Sequence, residues 1–276
     1  MSETNVPTIT LNNGTAIPQL GFGVFRVDPD RTAEIAGTAL EVGYRHIDTA
    51  AGYRNEAGVG DAVRASGIDR DDLWITTKLA NGDQEHPDDA FQASLDALGL
   101  DAVDLYLIHW PVPAKDIYPS VWKTLIAIAE SGRARSIGVS NFRIEHLERI
   151  IAETGVVPAV NQVELHVDFQ QRELKAFHAE HGIATEAWYP LGGGSLSEAP
   201  ELRRIADAHG KTVAQVVLRW HMHDGNIAIP KSNHRERMVE NLDIFDFELT
   251  PADLDAIAAL DKAEEGRRGG HPLQVG

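Results

Sequence analysis

The chain has 276 residues, with 25 Lys and Arg against 42 Asp and Glu, which gives a formal net charge of −17. A surface this acidic repels polyphosphates and anionic lipids, so we expect no binding to nucleic acid and no docking on membranes. The absence of cysteine excludes disulfides, thiolate nucleophiles and Cys-ligated metal sites. The first ten residues lack a signal-peptide pattern, and no apolar run approaches the roughly 20 residues of a membrane span. These features predict a cytoplasmic location.

The chain begins with a predicted hairpin and continues with strand-like runs. Segment 8–20 predicts a small β-hairpin around Asn13-Gly14, a sequence typical of tight turns. Beyond it, eight short apolar runs alternate with longer amphipathic segments. These runs predict strands over 20–25, 44–50, 73–78, 103–110, 134–140, 159–165, 183–189 and 226–230.

The amphipathic segments between the runs predict helices. Segment 31–43 places its apolar residues on one helical face, and segment 87–99 opens with Pro87 and ends at Gly99, as helices commonly do. Further helices are predicted over 120–132, 145–155, 171–182 and 211–222. Two extra helices, over 201–210 and 253–263, follow the seventh strand and the eighth unit.

Alternating strands and helices predict an α/β fold with a parallel sheet and helices packed outside it. Eight such units in about 250 residues match a (β/α)₈ TIM barrel in count and length. The alternative is an open doubly wound sheet, which would be favoured by a G-x-G-x-x-G turn opening the first helix. Segment 21–26 has two of these three glycines and no helix directly after it. We therefore predict a single barrel domain over 1–276, with an N-terminal hairpin, two extra helices and a C-terminal loop.

Four polar residues lie where neighbouring strands of this barrel should end. Asp48, Lys78 and His109 end the second, third and fourth strands, and Tyr53 follows the second strand. Active sites of (β/α)₈ barrels form at the carboxyl ends of the strands. Each residue alone could be a helix cap, a surface group or a packing residue. Their placement on one rim favours a shared chemical role.

The four side chains also form a chemically sensible set. A free tyrosine has a pKa near 10, and a neighbouring ammonium group such as that of Lys78 lowers it. Asp48 would hold Lys78 in place, and His109 could donate a hydrogen bond to a substrate oxygen. Tyr53 would then be a general acid directed at an oxygen that becomes negative in the transition state. A carbonyl group that receives a hydride presents such an oxygen.

Five long motifs give the chain a resemblance to a known family. They are GYRHIDTAAGYRNEAGVG (43–60), VDLYLIHWP (103–111), SIGVSNF (136–142), NQVELH (161–166) and IPKSNHRERMVENLDIFDFEL (229–249). With these motifs the chain resembles the aldo-keto reductases from about residue 8 to residue 264. Within that family it is most similar to the bacterial 2,5-diketo-D-gluconate reductase-like branch.

The resemblance implies NADP(H) as cofactor, no metal, and a role for each matching position. Asp48, Tyr53, Lys78 and His109 match the catalytic tetrad, with Tyr53 as proton donor. The implied nicotinamide contacts are Ser140, Asn141, Gln162 and the stacking residue Trp188, and Leu191 is a further cofactor contact. The implied contacts of the adenosine 2′-phosphate are Lys231, Ser232, Asn233, His234 and Arg237, and those of adenine are Glu240 and Asn241. The implied substrate pocket is lined by Phe25, His109, Trp110 and the tail after Lys262.

The activity implied by these matches is reduction of aldehydes or ketones, including keto acids or diketones such as 2,5-diketo-D-gluconate. Two other functions stay open: an NADP-binding regulatory protein with little turnover, like the channel-associated members of the superfamily, and an unrelated barrel hydrolase or isomerase. We expect a small-molecule carbonyl substrate and a monomer. Tail 264–276 is glycine-rich and predicts a loop folded over the rim near Phe25 and Trp110. Arg267 and Arg268 in this loop could attract an acidic substrate.

Overall fold

The structure is a computed structural model that describes residues 6–275. The first five residues, which bear on the predicted lack of a signal peptide, and Gly276 at the end of the tail lie outside this range. At the start of the described chain, β1 (Thr8–Thr10) pairs antiparallel with β2 (Ala16–Pro18). Gly14 in the connecting turn has a φ of 86°, which glycine adopts without strain. The predicted hairpin is confirmed.

Eight parallel strands follow, one at each predicted run, and their order in the sheet is their order in the chain. Backbone hydrogen bonds also join the two edges of this sheet. The amide of Gly21 donates to the carbonyl of Ala228 (2.9 Å), and the amide of Ala228 donates to the carbonyl of Gln19 (2.9 Å). The sheet therefore curls in a way that is consistent with the predicted (β/α)₈ barrel. The strands are β3 (Phe22–Gly23), β4 (His46–Asp48), β5 (Trp74–Leu79), β6 (Val103–Ile108), β7 (Ala134–Ser140), β8 (Val160–Glu164), β9 (Ala184–Trp188) and β10 (Ile227–Ala228).

Helices connect these strands. They are α1 (Pro29–Val42), α2 (Glu56–Ser66), α3 (Pro87–Leu98), α4 (Tyr118–Glu130), α5 (Ile144–Thr154), α6 (Arg172–His181), α7 (Pro200–His209), α8 (Val213–His223), α9 (Arg235–Leu242) and α10 (Pro251–Ala258). The two predicted extra helices are present as α7 and α10, although α10 ends at Ala258 rather than at residue 263. Among residues 6–275, no helix has the length and apolar character needed to cross a membrane.

The termini of these helices follow from local chemistry. Helix α1 begins after Asp28, whose side chain accepts a hydrogen bond from the amide of Asp30 (3.0 Å). Helix α3 starts at Pro87 and is followed by Gly99, whose φ of 64° places it in the left-handed region. Proline at the first position and glycine after the last give α3 the limits that the sequence predicts.

The N-terminal hairpin covers one end of the barrel. The side-chain amide of Asn13 donates to the carbonyl of Arg135 (3.0 Å), and that of Asn12 donates to the carbonyl of Pro158 (3.0 Å). Both acceptors lie at the amino ends of strands β7 and β8. Beneath the hairpin is an apolar cluster formed by Leu11, Ile17, Trp74, Leu105, Leu107, Ala159, Val160 and Ile227. With the amino end covered, a site inside the barrel must open at the carboxyl ends of the strands.

Candidate active site

The structure brings the four predicted tetrad residues together at the carboxyl end of the barrel. Asp48 is the last residue of β4, Lys78 is the next-to-last residue of β5, and His109 directly follows β6. These three strands are neighbours in the sheet. Tyr53 ends a short 3₁₀ turn (Ala51–Tyr53) that follows β4. Parallel pairing of adjacent strands is what places these residues at one edge.

Lys78 and Asp48 form a buried ion pair, with 0% and 2% of the respective residues exposed. The Lys78 ammonium donates to both carboxylate oxygens of Asp48 (2.7 and 2.8 Å) and to the carbonyl of Thr49 (2.8 Å). Burial alone would lower the pKa of Lys78, but Asp48 and Tyr53 together raise it. Lys78 is therefore a fixed positive charge, and its Nζ lies 3.4 Å from the Tyr53 hydroxyl oxygen.

The phenol of Tyr53 differs from the sequence-based prediction. We expected Lys78 to lower its pKa below the usual value. Burial instead raises the pKa of Tyr53; the charge of Lys78 opposes this only in part, and Asp48 adds to the rise. The prediction of a lowered pKa is therefore wrong for this structure. A tyrosine in this environment is fully protonated at neutral pH, the form that a proton donor requires.

His109 lies beside Tyr53 and is neutral. The two rings meet edge to face, with their centroids 5.6 Å apart. Burial, and to a smaller extent the nearby charge of Lys78, lowers the pKa of His109 to about 3. A neutral imidazole carries one N–H, which can donate a hydrogen bond without adding a charge.

The predicted nicotinamide contacts form a hydrogen-bonded group next to the tetrad. Asn141 has a φ of 63°, and its side-chain amide donates to the carbonyl of His109 (3.0 Å). The Asn141 side-chain oxygen accepts the indole N–H of Trp188 (2.8 Å). The Ser140 hydroxyl donates to the carbonyl of Gln162 (2.8 Å), and the Gln162 amide donates to Asp48 (2.8 Å). The residues that the sequence assigned to the nicotinamide are thus connected to the tetrad itself.

The predicted phosphate segment begins at the same rim. The amide of Gly23 in β3 donates to the carbonyl of Pro230 (3.1 Å), directly before Lys231. Ser232 is buried, and its hydroxyl accepts a hydrogen bond from the amide of His234 (3.1 Å) just ahead of α9. The side chains of Lys231, Asn233, His234 and Arg237 are exposed.

The cations of this segment differ in whether they are paired. Arg235 lies 3.7 Å from Glu41. Within residues 6–275, neither Lys231 nor Arg237 takes part in an ion pair, so both can meet an anion. The predicted adenine contacts lie on α9: Glu240 accepts the Thr212 hydroxyl (2.7 Å) and Asn241 is buried. Leu191, from the loop after β9, packs on the edge of the apolar core.

Two of the predicted substrate residues flank the tetrad. The Phe25 side chain is exposed, and its ring centroid is 5.0 Å from that of Tyr53. Trp110 directly follows His109, and a Cβ built on Gly270 in the tail would be 3.7 Å from the Trp110 ring. The tail therefore lies against Trp110, on the side of the rim that the sequence predicted.

A buried carboxylate holds the tail in this position. Glu164, the last residue of β8, accepts hydrogen bonds from the backbone amides of Arg268 (2.7 Å) and Gly269 (2.8 Å). A Cβ on Gly269 would lie 2.4 Å from the Trp188 ring, so only glycine fits there. The tail is thus bound to a strand of the barrel and packs on Trp188.

The tail arginines are engaged with the protein. The guanidinium of Arg268 donates to Asp168 (2.5 Å), and that of Arg267 donates to Glu264 (2.9 Å). Both cations are therefore paired within the protein, and their attraction of an acidic substrate stays a prediction. His166 lies between Glu164 (3.1 Å) and Asp168 (2.5 Å). Neither these three residues nor any other group of three or more His, Asp and Glu among residues 6–275 could hold a metal ion.

Two buried carboxyl groups of the barrel, Glu164 and Glu186, were not predicted from the sequence. Both lie in predicted strands, and Glu186 contacts Gln162 beneath the tetrad (3.0 Å). The available signal was an acidic residue inside each short apolar run. A charged group is rarely buried unless it has a partner, so each of these residues indicated a buried polar contact.

Comparisons with known proteins agree with this geometry. The model of the aldo/keto reductase family matches residues 14–262. An aldo-keto reductase of Mycolicibacterium smegmatis is 52% identical over 96% of both chains. Methylglyoxal reductase DkgA of Escherichia coli is 48% identical over 99% of both chains.

Solved structures show the same likeness. An aldo/keto reductase from Brucella melitensis is 55% identical, with a TM-score of 0.90 over 93% of this chain and 100% of that one. A mutant of Gox0644 in complex with NADPH is 46% identical, with a TM-score of 0.94 over 98% of both chains. The predicted resemblance is confirmed, and the chain belongs to the aldo/keto reductase family.

Proposed function

We propose that this protein reduces small aldehydes and ketones to alcohols with NADPH, and that Tyr53 protonates the carbonyl oxygen. The observation that carries the proposal is the tetrad: a protonated phenol and a neutral imidazole at the open end of the barrel, with the Tyr53 hydroxyl 3.4 Å from the Lys78 ammonium. NADPH, when bound, supplies the hydride. The NADPH complex of a relative that is 46% identical supports this cofactor.

The residues of this chain would act together on the carbonyl oxygen. The N–H of His109 and the hydroxyl of Tyr53 would both donate to that oxygen, which becomes more negative as the carbon is reduced. Tyr53 would transfer its proton, and Lys78 would stabilise the phenolate that is left. Asp48 would keep Lys78 directed at the phenol. Phe25 and Trp110 would exclude water from the reacting groups.

We further propose that the preferred substrates are small dicarbonyl compounds rather than keto acids. The 48% identical relative from Escherichia coli is named a methylglyoxal reductase. The Arg267 and Arg268 side chains, which could have bound a carboxylate, are paired with Glu264 and Asp168. The regulatory alternative gains no support from the comparisons, since three of the four relatives reported above are reductases by name.

The direct test is oxidation of NADPH in the presence of a panel of carbonyl compounds. We expect turnover with methylglyoxal, and a lower kcat/KM with substrates that carry a carboxylate, such as keto acids and 2,5-diketo-D-gluconate. The measurement is the loss of NADPH absorbance. If NADPH binds but no member of the panel is reduced, the regulatory alternative is correct. If NADPH does not bind, the cofactor assignment is wrong.

A second prediction concerns the cofactor preference. Arg237 is exposed and unpaired among residues 6–275, and we propose that it binds the 2′-phosphate of NADPH together with Lys231. A charge-assisted hydrogen bond contributes roughly 1.5–3 kcal/mol. We expect Arg237→Ala to raise the Kd for NADPH by about 10-fold or more and to leave the Kd for NADH nearly unchanged, as measured by fluorescence titration.

Arg235 provides a matched control for this experiment. It lies on the same helix, but it faces Glu41 at 3.7 Å. Arg235→Ala should change NADPH binding much less than Arg237→Ala does. If Arg237→Ala weakens NADPH and NADH equally, Arg237 supports the fold of α9 and does not bind the phosphate.

A further inference from the structure

A second carboxyl group lies directly beneath the tetrad. Glu186, in the middle of β9, is completely buried. Its Oε2 accepts a hydrogen bond from the side-chain amide of Gln162 (3.0 Å), and the same amide nitrogen donates to Asp48 (2.8 Å). One side-chain amide thus joins Glu186 to the carboxylate that holds Lys78.

The charges at this point do not balance if both carboxyl groups are ionised. The titratable side chains that face Glu186 are Asp48 and His46 from β4 and Lys78 from β5, with Tyr53 above them. Lys78 brings one positive charge and donates to both oxygens of Asp48. The other three groups supply no second positive charge, because His46 is neutral: burial lowers its pKa to about 3. An ionised Glu186 would therefore leave an uncompensated buried charge, which is very costly.

The contacts of Glu186 fit a neutral carboxyl group. Its Oε1 is buried, and no hydrogen-bond partner for it is found among residues 6–275. This oxygen lies 3.6 Å from His46 Nε2. The other ring nitrogen of His46 faces the carbonyl of Pro18 at 3.4 Å, and a carbonyl can only accept. The proton of His46 thus belongs on Nδ1, and the lone pair of its Nε2 faces both the Thr76 hydroxyl (3.3 Å) and Glu186 Oε1 (3.6 Å).

We propose that Glu186 is a positioning residue of the reduction: its protonated, neutral carboxyl group holds Gln162 and keeps a second negative charge away from Asp48 and Tyr53. The inference rests on the proposed function. Gln162 is one of the residues that we assign to the nicotinamide carboxamide, so Glu186 would orient a cofactor contact from beneath. Loss of the Glu186 proton would place a negative charge near the Tyr53 phenol and make it a weaker acid.

The electrostatics of the site are in accord with this geometry. Burial and the charge of Asp48 raise the pKa of Glu186 to about 8. The pKa of Tyr53 is raised above its ordinary value near 10, and that of His109 is about 3. Neither tetrad residue changes protonation between pH 7 and pH 9, about the range in which Glu186 does.

The test compares the wild-type enzyme with Glu186→Gln. Glutamine keeps the volume of the side chain and an oxygen for Gln162, but it cannot ionise. With NADPH and methylglyoxal we expect the two proteins to have similar kcat at pH 7. Between pH 7 and pH 9 the wild-type kcat should fall by roughly 3-fold to 10-fold, and that of Glu186→Gln should stay nearly flat. Glu180→Gln, which alters an exposed glutamate on α6, is the matched control and should follow the wild type.

A second readout does not depend on turnover. The pKa of Glu186 is raised in the folded state. Between about pH 4 and pH 8, the folded protein therefore holds a proton on Glu186, whereas the unfolded chain does not. The difference in Tm between the wild type and Glu186→Gln should therefore shift against the wild type as the pH rises across this range. Parallel Tm curves together with parallel kcat profiles would overturn the proposal. Absence of carbonyl reduction in the wild type would overturn the proposed function instead, and the Tm curves would still report whether Glu186 carries the proton.

Discussion

Tyr53→Phe is expected to lower kcat by about 10²–10⁴-fold, the usual contribution of a general acid. Phenylalanine keeps the ring that packs against Phe25 and His109, at centroid distances of 5.0 and 5.6 Å, and removes only the hydroxyl. The Kd for NADPH should be nearly unchanged, because the loss falls on the transition state and not on cofactor binding. Steady-state kinetics and a binding titration measure the two effects separately.

Tyr106→Phe is a matched control for this prediction. Tyr106 is a fully buried tyrosine of the barrel, whereas Tyr53 is partly buried, and the Tyr106 hydroxyl has no hydrogen-bond partner among residues 6–275. It packs on Phe91, with a centroid distance of 4.4 Å, as part of the core between the sheet and the helices. Removal of the Tyr106 hydroxyl should leave kcat unchanged. A Tyr53→Phe enzyme within about threefold of the wild type would show that another group protonates the substrate.

The placement of the tetrad could be predicted because it depends on strand order alone. Once Asp48, Lys78 and His109 are assigned to the ends of three successive parallel strands, pairing of those strands brings them to one edge. The prediction does not need the side-chain contacts. It therefore held even though the strand limits in the structure differ by a few residues, as for β3, which spans only Phe22–Gly23 inside the predicted run 20–25.

Helix α2 could not be delimited from the sequence because its glycines act through packing. Gly58 and Gly60 weaken the helical signal, since glycine is unfavourable inside a helix. In the structure, a Cβ on Gly58 would lie 2.7 Å from the Thr32 side chain, and one on Gly60 would lie 2.0 Å from the carbonyl of Leu98. These glycines let α2 approach α1 and α3 closely. The partners of that approach lie 26 and 38 residues away in the chain, beyond the reach of local pattern analysis.

The environment of the tetrad was also beyond the sequence. Every residue of β5, β6 and β8 is buried, so alternation does not tell which side chains face the barrel interior. Glu186 in β9 could equally have faced a helix. The sequence shows neither the position of Glu186 nor the burial of Tyr53. With Lys78 as the only neighbour considered, the pKa of Tyr53 is expected to fall, whereas burial raises it. This is why the direction of the Tyr53 pKa shift was predicted incorrectly.

Lys78→Met tests whether the charge of Lys78 stabilises the Tyr53 phenolate, and it is expected to lower kcat by about 10²–10³-fold. Methionine has a similar length but no charge, so nothing would stabilise the Tyr53 phenolate that remains after proton transfer. The substitution also has a structural effect. It leaves Asp48, with 2% of the residue exposed, as a buried carboxylate without its cation. Breaking a buried ion pair in this way costs roughly 3–5 kcal/mol, so the Tm should fall as well.

A double variant separates the two effects. In Asp48→Asn combined with Lys78→Met, both charges are gone, and the amide of Gln162 can still donate to residue 48, as it does to Asp48 at 2.8 Å. We expect the Tm to recover most of its loss, because a neutral pair avoids the uncompensated charge. The kcat should stay at the level of Lys78→Met, because the ammonium is still missing. Recovery of kcat together with the Tm would mean that Lys78 acts only by maintaining the fold, and that the acidity of Tyr53 does not depend on the charge 3.4 Å from its hydroxyl oxygen.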